Sequence, residues 1–537
     1  GVRFIPTRHE QGAVGMADGY SRATGKIGVA SVSHGPGLTN AATPLVNAKH
    51  SRSRVLVITS DVPPDQRHNN MNFDQAPFIL STAGALQTLA KPSLLSESLE
   101  LSLRHIRAGM GPIVLNTPDD VIDAQLPRGD TYRPSRLGEV PDQPRPPYGP
   151  ELEPLVEMLR ASDRPVILAG RGAVSSHARA ALVALAERVG ALLATTLPAK
   201  SLFASDGFDL GVCGGFALPG IARILTEADL VLAFGTSLSV ETTGHGAMFP
   251  QAKLIHIDTD HLLARDHTVA DHLVIADARL TAERLLTLVP ETRTGWRDST
   301  TAARIASVDR WEGVDFVESP GFVNPYSAYR LADELLPRER LLLVDGGYFM
   351  GGPATHISVL NPHDLVLPWR FGAIGGALGP AIGAAAGRPD RTTVLFIGDG
   401  GLMMNIQELD TAVRCRLPIV IFVIDNAGFA MERPAYANRG WATEMADYVN
   451  PDFGLVAASL GYDGRTPASS AELEQLLHAT VPIGRPTLIN LRVARDAQYL
   501  EIDRWAAGHA RSAAASGRHN EHAEYATPAR EGLQPPP

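Results

Sequence analysis

Residues 394–431 constrain this chain more than any other stretch. Residues 394–397 are a short apolar run, which predicts a buried strand. They run into Gly398-Asp399-Gly400-Gly401, where glycine lets the backbone turn tightly and come close to a ligand. Residues 405–414 then carry Ile406, Leu409 and Val413 at helical spacing. Residues 419–424 predict a second buried strand that ends at Asp425-Asn426. Strand, loop, helix and strand in this order make a parallel unit whose strands end at one edge, and such sheets bind ligands at that edge. Asp399 and Asn426 are therefore expected at one site. A carboxylate oxygen from Asp399, an amide oxygen from Asn426 and a backbone carbonyl from the next turn, at Gly428, suit magnesium. That ion takes few protein oxygens and fills its shell with water and phosphate. The glycines and the helix start after Asp399 offer N–H groups to those phosphates.

The rest of the chain repeats the pattern of apolar strands running into glycine turns, as at 165–169 into Gly170, 230–234 into Gly235 and 341–344 into Asp345-Gly346-Gly347-Tyr348. The expected class is α/β, with three doubly wound parallel-sheet domains. A chain of 537 residues is too long for one core and suits about three domains. The expected division is a first domain over 1–126, a Pro-rich linker over 127–150 and a middle domain over 151–290. A connector over 291–325, a third domain over 326–500 and a polar tail over 501–537 complete it. The tail is expected either to pack loosely or to cover the mouth of the site. The chain opens at Gly1 already inside a folded pattern, with a strand expected over residues 2–5, so a preceding segment is expected to be missing.

A net charge of −10 argues against nucleic acid as a main partner. No run predicts a membrane span. Two cysteines, Cys213 and Cys415, give neither a disulfide framework nor zinc spacing, and a reducing cytoplasm is the default.

Gly-Asp-Gly followed by an asparagine that closes a second strand resembles the thiamine-diphosphate motif. The run RHEQGAVGMADGYSRATGK, from Arg8 to Lys26, is similar nearly residue for residue to the segment of acetolactate-synthase-like thiamine enzymes that carries their catalytic glutamate. The resemblance covers nearly the whole chain, in the order pyrimidine-binding, middle and diphosphate-binding domain. It implies that Asp399, Asn426 and the Gly428 carbonyl hold magnesium on the diphosphate. Gly398, Gly400, Gly401, Gly346, Gly347 and Tyr348 would lie against that group. Glu10 would bond a pyrimidine nitrogen and drive the proton shuttling that activates the cofactor. Glu10 also reads as a cap on the following helix. Gly35, Pro36 and Gly37 resemble the loop beside the pyrimidine, Gly372 would offer a carbonyl to the pyrimidine amino group, and Ile374 would prop the cofactor in a bent shape. His34 either orients substrate and shuttles protons or bonds local backbone. Met431 and the segment Asn72-Phe73-Asp74-Gln75 fall near the substrate by the same likeness. In the middle domain some family members hold FAD or ADP and many hold nothing. An empty domain is favoured, with Gly214-Gly215-Phe216 and Arg171 as the contacts if it is filled.

The resemblance implies chemistry at a carbon next to a carbonyl of a small 2-oxo acid, in a homodimer or homotetramer. Carboligation of the acetolactate synthase type is favoured over a benzoylformate-type decarboxylase or an acyl-CoA or aldehyde lyase. A non-catalytic relative would have lost Glu10 or the metal pair. Asp425 and Ala430 depart from the family, where a second asparagine and a glycine are usual, and His34 replaces the commoner residue.

Overall fold

The computed structural model describes residues 3–63, 65–66, 68–126, 144–244, 246–260, 270–289, 293, 295–480 and 485–506. Most of the linker expected over 127–150, and of the tail expected over 501–537, lies outside them.

The described residues form three parallel sheets. The first holds β1 (Gly28–Val32), β2 (Val55–Asp61), β3 (Leu86–Thr88) and β4 (Ile113–Pro118), in the order β1-β2-β4-β3. The second holds β5 (Pro165–Ala169), β6 (Leu192–Thr195), β7 (Asp209–Val212), β8 (Leu230–Phe234), β9 (Lys253–Asp258) and β10 (His272–Ile275). Its order is β10-β9-β8-β5-β6-β7. The third holds β11 (Arg340–Val344), β12 (Leu365–Val366), β13 (Thr392–Gly398), β14 (Ile419–Asp425), β15 (Asp463–Arg465) and β16 (Thr487–Arg492). Its order is β12-β11-β13-β14-β16-β15. Every named strand pair is parallel. Helices cover both faces of such sheets, so central strands are apolar throughout rather than alternating. β5, β8, β11 and β14 are accordingly buried at every position.

The third sheet reverses direction between β11 and β13. From β11 the chain moves outward to β12, then returns to β13 on the other side. A crevice opens at the carboxyl ends of strands at such a reversal. Asp345 and Gly346 leave β11 there, Asp399 leaves β13, and Asn426 leaves the adjacent β14.

The first and third domains meet through two glycine-rich helices, Glu10–Thr24 and Leu378–Gly387. A Cβ on Gly19 would stand 2.0 Å from the Pro380 carbonyl oxygen, and one on Gly383 would stand 1.9 Å from the Met16 carbonyl oxygen. Only hydrogen fits at either position. The middle domain is tied to the third by Lys200. Its buried ammonium donates to the carbonyls of Ala354 (2.6 Å), Thr355 (3.0 Å) and Ile357 (2.7 Å), at the end of helix Gly351–His356.

Two local expectations are corrected. Residues 3–5 form no strand, because no neighbouring strand takes their backbone groups; a little further on, the amides of Arg8 and His9 bond the Glu408 carboxylate. The helix expected over 405–414 is a 3₁₀ turn, Ile406–Glu408, followed by helix Leu409–Cys415. Of the tail expected over 501–537, the described residues 501–506 pack against the third and middle domains. Glu501 is fully buried, accepting from Tyr326 Oη (2.9 Å) and bonding His356 Nε2 (2.8 Å), and Trp505 lies over Gly215.

The helix pair yields a test of the close approach. Alanine in place of glycine within a helix ordinarily stabilises by about 1 kcal/mol. In Gly383→Ala the added methyl meets a backbone carbonyl, and overpacking costs about 1–3 kcal/mol or more. The urea midpoint is therefore expected to fall, and a raised midpoint would mean that the two helices do not touch there.

Candidate active site

At the crevice, Asp399 opens helix Asp399–Met403 directly after β13 and is 3% exposed. Its Oδ1 accepts from the Gly400 amide (2.8 Å) and the Tyr448 hydroxyl (3.2 Å). Its Oδ2 accepts from Asn450 Nδ2 (2.8 Å) and the Gly428 amide (3.2 Å). Burial pushes the Asp399 carboxyl above the usual carboxylate range, and the charge of Asp425 adds to this, while the N–H donors pull the other way. The side chain of Asn426 is buried, and its amide oxygen has no partner among the described residues. Buried polar atoms are almost always hydrogen-bonded, so an acceptor left open beside a carboxylate marks a place for a cation. Ala427 takes the left-handed conformation (φ 54°), which turns the chain from Asn426 to Gly428. Among the described residues no group of three or more His, Cys, Asp or Glu side chains could hold a metal by itself. A cation at Asp399 would therefore rely on amide and carbonyl oxygens and on its ligand's own oxygens, which is the habit of magnesium.

Asp345 completes the floor. It is fully buried, and its Oδ2 accepts from the Gly375 amide (2.7 Å). Burial pushes its carboxyl up to about 7 against the pull of backbone N–H groups from Gly375, Gly346, Ala377 and Gly376. It thereby fastens the turn that carries Gly372 (φ 80°) and Ile374 to the end of β11. Ile374 Cγ2 stands 3.5 Å from the Cβ position of Gly346. The side chain of Tyr348 points elsewhere, donating to Asp503 Oδ1 (2.6 Å), so the Gly346–Tyr348 turn presents backbone rather than a phenol. Met431 is partly buried against the third-domain core.

A second cluster forms in the first domain. Glu10 is the first residue of its helix, and His9 is the cap, accepting from the Gln11 amide at Nδ1 (3.1 Å). Glu10 Oε2 accepts from Asn40 Nδ2 (3.1 Å), and Oε1 lies 3.3 Å from the Cβ position of Gly37. Gly35 (φ 62°) donates to Gln75 Oε1 (2.9 Å), and Gln75 Nε2 donates to Asn116 Oδ1 (3.1 Å) and the Ser60 carbonyl (3.0 Å). Gln75, expected near a substrate, is thus a buried brace for the Gly35-Pro36-Gly37 loop. His34 is 8% exposed. Its Nδ1 bonds Ser60 Oγ (2.6 Å) and lies 3.8 Å from Asp119 Oδ2, while its Nε2 has no partner among the described residues.

The two clusters are linked by Glu408, a residue that sequence reasoning passed over. Its fully buried carboxylate accepts from the amides of Arg8 (3.0 Å) and His9 (2.9 Å) and from Thr411 Oγ1 (2.7 Å). Among the described residues the Glu10 carboxylate bonds only Asn40, and no third-domain group meets it directly. Asn40, Tyr448 and Asn450 were also missed as partners, since only folding brings them to Glu10 and Asp399.

Residues 1–83 match the thiamine pyrophosphate enzyme N-terminal TPP binding domain, residues 152–285 the central domain, and residues 345–491 the C-terminal TPP binding domain. The chain belongs to the thiamine pyrophosphate enzymes. Among its relatives, the acetolactate synthase large subunit of Parasynechococcus marenigrum is 29% identical over 511 residues, covering 92% of this chain and 81% of that one. The acetolactate synthase isozyme 2 large subunit of Escherichia coli is 29% identical over 522 residues, covering 92% and 89%. A sulfoacetaldehyde acetyltransferase of Alcaligenes xylosoxydans is 27% identical over 512 residues, covering 86% and 81%.

In the middle domain a Cβ on Gly214 would stand 2.2 Å from the Glu241 carbonyl oxygen, and Gly215 and Phe216 lie against Trp505 and Gly351. Arg171 donates to the Ser51 carbonyl (2.7 Å). Burial, and then Arg370, Arg22 and Arg52, push its guanidinium down to about 9. No helix among the described residues is long and apolar enough to cross a membrane.

The open acceptor beside Asp399 leads to a binding test. Asp399→Ala is expected to weaken magnesium-dependent binding of thiamine diphosphate by more than about a hundredfold, beyond the cost of losing an outer partner. Unchanged calorimetric affinity would remove this carboxylate from the site.

Proposed function

We propose that this chain is a thiamine-diphosphate- and magnesium-dependent carboligase of the acetolactate synthase type, acting on a small 2-oxo acid. The observation that carries the reading is that Asp399 and Asn426, whose buried amide oxygen has no partner among the described residues, leave the ends of the adjacent strands β13 and β14 at the crevice of the third sheet. The acetolactate synthase relatives support the choice of reaction.

When bound, thiamine diphosphate supplies the electron sink that lets carbon dioxide leave a 2-oxo acid. Asp399, Asn426 and the Gly428 carbonyl would hold magnesium. The backbone of Gly346, Gly347, Gly398, Gly400 and Gly401 would line the diphosphate. Gly372 would accept from the pyrimidine amino group, with Ile374 beneath the bend. Glu10 would hold and move the proton at the far pyrimidine nitrogen, with Asn40 fixing its carboxylate and the Gly35-Pro36-Gly37 loop closing that end. His34 would present Nε2 to substrate, its Nδ1 anchored on Ser60. Among the described residues no third-domain group bonds the Glu10 carboxylate, which supports a homodimer or homotetramer in which a second copy supplies the other half of each site. Packing of Glu241 and Trp505 against Gly214 and Gly215 supports a middle domain without flavin, and a yellow protein with a flavin spectrum would overturn that part.

Glu10→Gln is expected to lower turnover at least about a hundredfold, the scale of one lost acid–base group, while thiamine diphosphate still binds. Near-normal turnover would remove Glu10 from the proton path. With wild-type protein, magnesium and pyruvate, the expected product is a hydroxyketone; an aldehyde would make the protein a decarboxylase.

A further inference from the structure

Asp425 stands directly before Asn426 in the chain. Its side chain is buried at the end of β14, and the hydrogen bonds it makes among the described residues all come from donors. Oδ1 accepts from Asn450 Nδ2 (2.7 Å) and the Ala427 amide (3.3 Å), and Oδ2 accepts from Asn490 Nδ2 (3.3 Å) on β16. Asn450 Nδ2 also donates to Asp399 Oδ2 (2.8 Å). One NH₂ group thus bridges two carboxylates, giving a hydrogen to each, which is its full capacity.

This bridge fixes how the Asp399 carboxylate is turned. A carboxylate has about four lone-pair sites, and Asp399 accepts from four donors. Two of these, Gly400 and Gly428, are backbone amides held by the fold. Of the two side chains, Tyr448 makes the longer bond (3.2 Å, on Oδ1) and Asn450 the shorter (2.8 Å, on Oδ2). The lone pair that Tyr448 occupies is the one a cation can take at least cost. Asn450 then keeps Oδ2 in place, and Asp425 keeps Asn450 in place.

We propose that Asp425 is a positioning residue for the cation site, acting through Asn450 on the Asp399 carboxylate rather than by ligation or by its charge. The proposal rests on the magnesium and thiamine diphosphate reading above. It predicts which property of residue 425 matters. The acceptor oxygen is required, whereas the negative charge is not. In Asp425→Asn the amide oxygen can still accept from Asn450, and the new NH₂ meets Asn490, whose own amide oxygen is unpartnered and can turn to receive it.

The test is calorimetric titration of magnesium into full-length protein with saturating thiamine diphosphate, beside urea unfolding of the cofactor-free protein. Asp425→Ala and Asn450→Ala are each expected to weaken magnesium about tenfold or more, the scale of losing an outer hydrogen bond to a ligating carboxylate. The double variant should be no weaker than Asn450→Ala alone, since both act along one path. Asp425→Asn keeps the acceptor oxygen and should stay within about threefold of wild type, short of the roughly tenfold or greater loss of an outer partner. Should Asp425→Ala fail to fold, Asn450→Ala decides, because Asn450 is only half-buried. Equal losses in Asp425→Asn and Asp425→Ala, multiplying losses in the double variant, or unchanged affinity in Asn450→Ala would each overturn the proposal. If wild-type protein binds no magnesium with thiamine diphosphate, the functional reading itself falls and takes this proposal with it.

Discussion

The contact on which the rest depends is made by hydrogen atoms on two glycines. Gly19 and Gly383 let the Pro380 and Met16 carbonyl oxygens come to 2.0 Å and 1.9 Å from where a Cβ would stand. No other residue permits two helices to lie so close. That approach sets the first domain on the third and brings Glu408 under the start of the Glu10 helix. The amides of Arg8 and His9 then have a buried acceptor. A slightly wider spacing would leave that carboxylate buried without its donors, which costs more than losing the contact alone.

Around the crevice the third domain buries Asp345, Asp399, Asp425 and Glu408. Each is surrounded by N–H or O–H donors rather than by cations. Many of these donors are backbone amides, so the acids are held by the chain path itself and cannot be satisfied until that path is made. Two of the buried polar atoms left without a partner among the described residues, Asn426 Oδ1 and His34 Nε2, belong to residues expected at the two ends of the cofactor site. Asp399, Asp425 and Glu408 have donors on both carboxylate oxygens, which describes a site held in shape before its ligand arrives.

Much of this could be read from the residues. Strands buried on both faces are continuous apolar runs, so 165–169 and 230–234 were placed at both ends. The Gly-Asp-Gly turn and Asn426 were legible for the same reason, since each follows such a run directly. Edge strands such as β3, β12 and β15 are two or three residues long and carry no such run. Residues 3–5 have strand-like composition but no partner strand, and pairing is not a local property. Glu408 and Asn450 were illegible as site residues because their meaning lies in what they reach across the sequence, the amides of Arg8 and His9 in one case and two carboxylates in the other.

The segment 499–506 has one further consequence. Tyr499 and Ile502 are fully buried members of the third-domain core, and Glu501 fills a slot beneath Gly351 that also receives His356 and Tyr326. A ribosome makes the chain from its amino end, so these residues emerge after all the strands they pack on. The first two sheets can close during synthesis, but the third domain keeps an open wall until that segment has left the ribosome. Its final packing therefore waits on residues 499–506, and a nascent chain stalled before Tyr499 would present apolar third-domain surface to whatever chaperone or protease meets it.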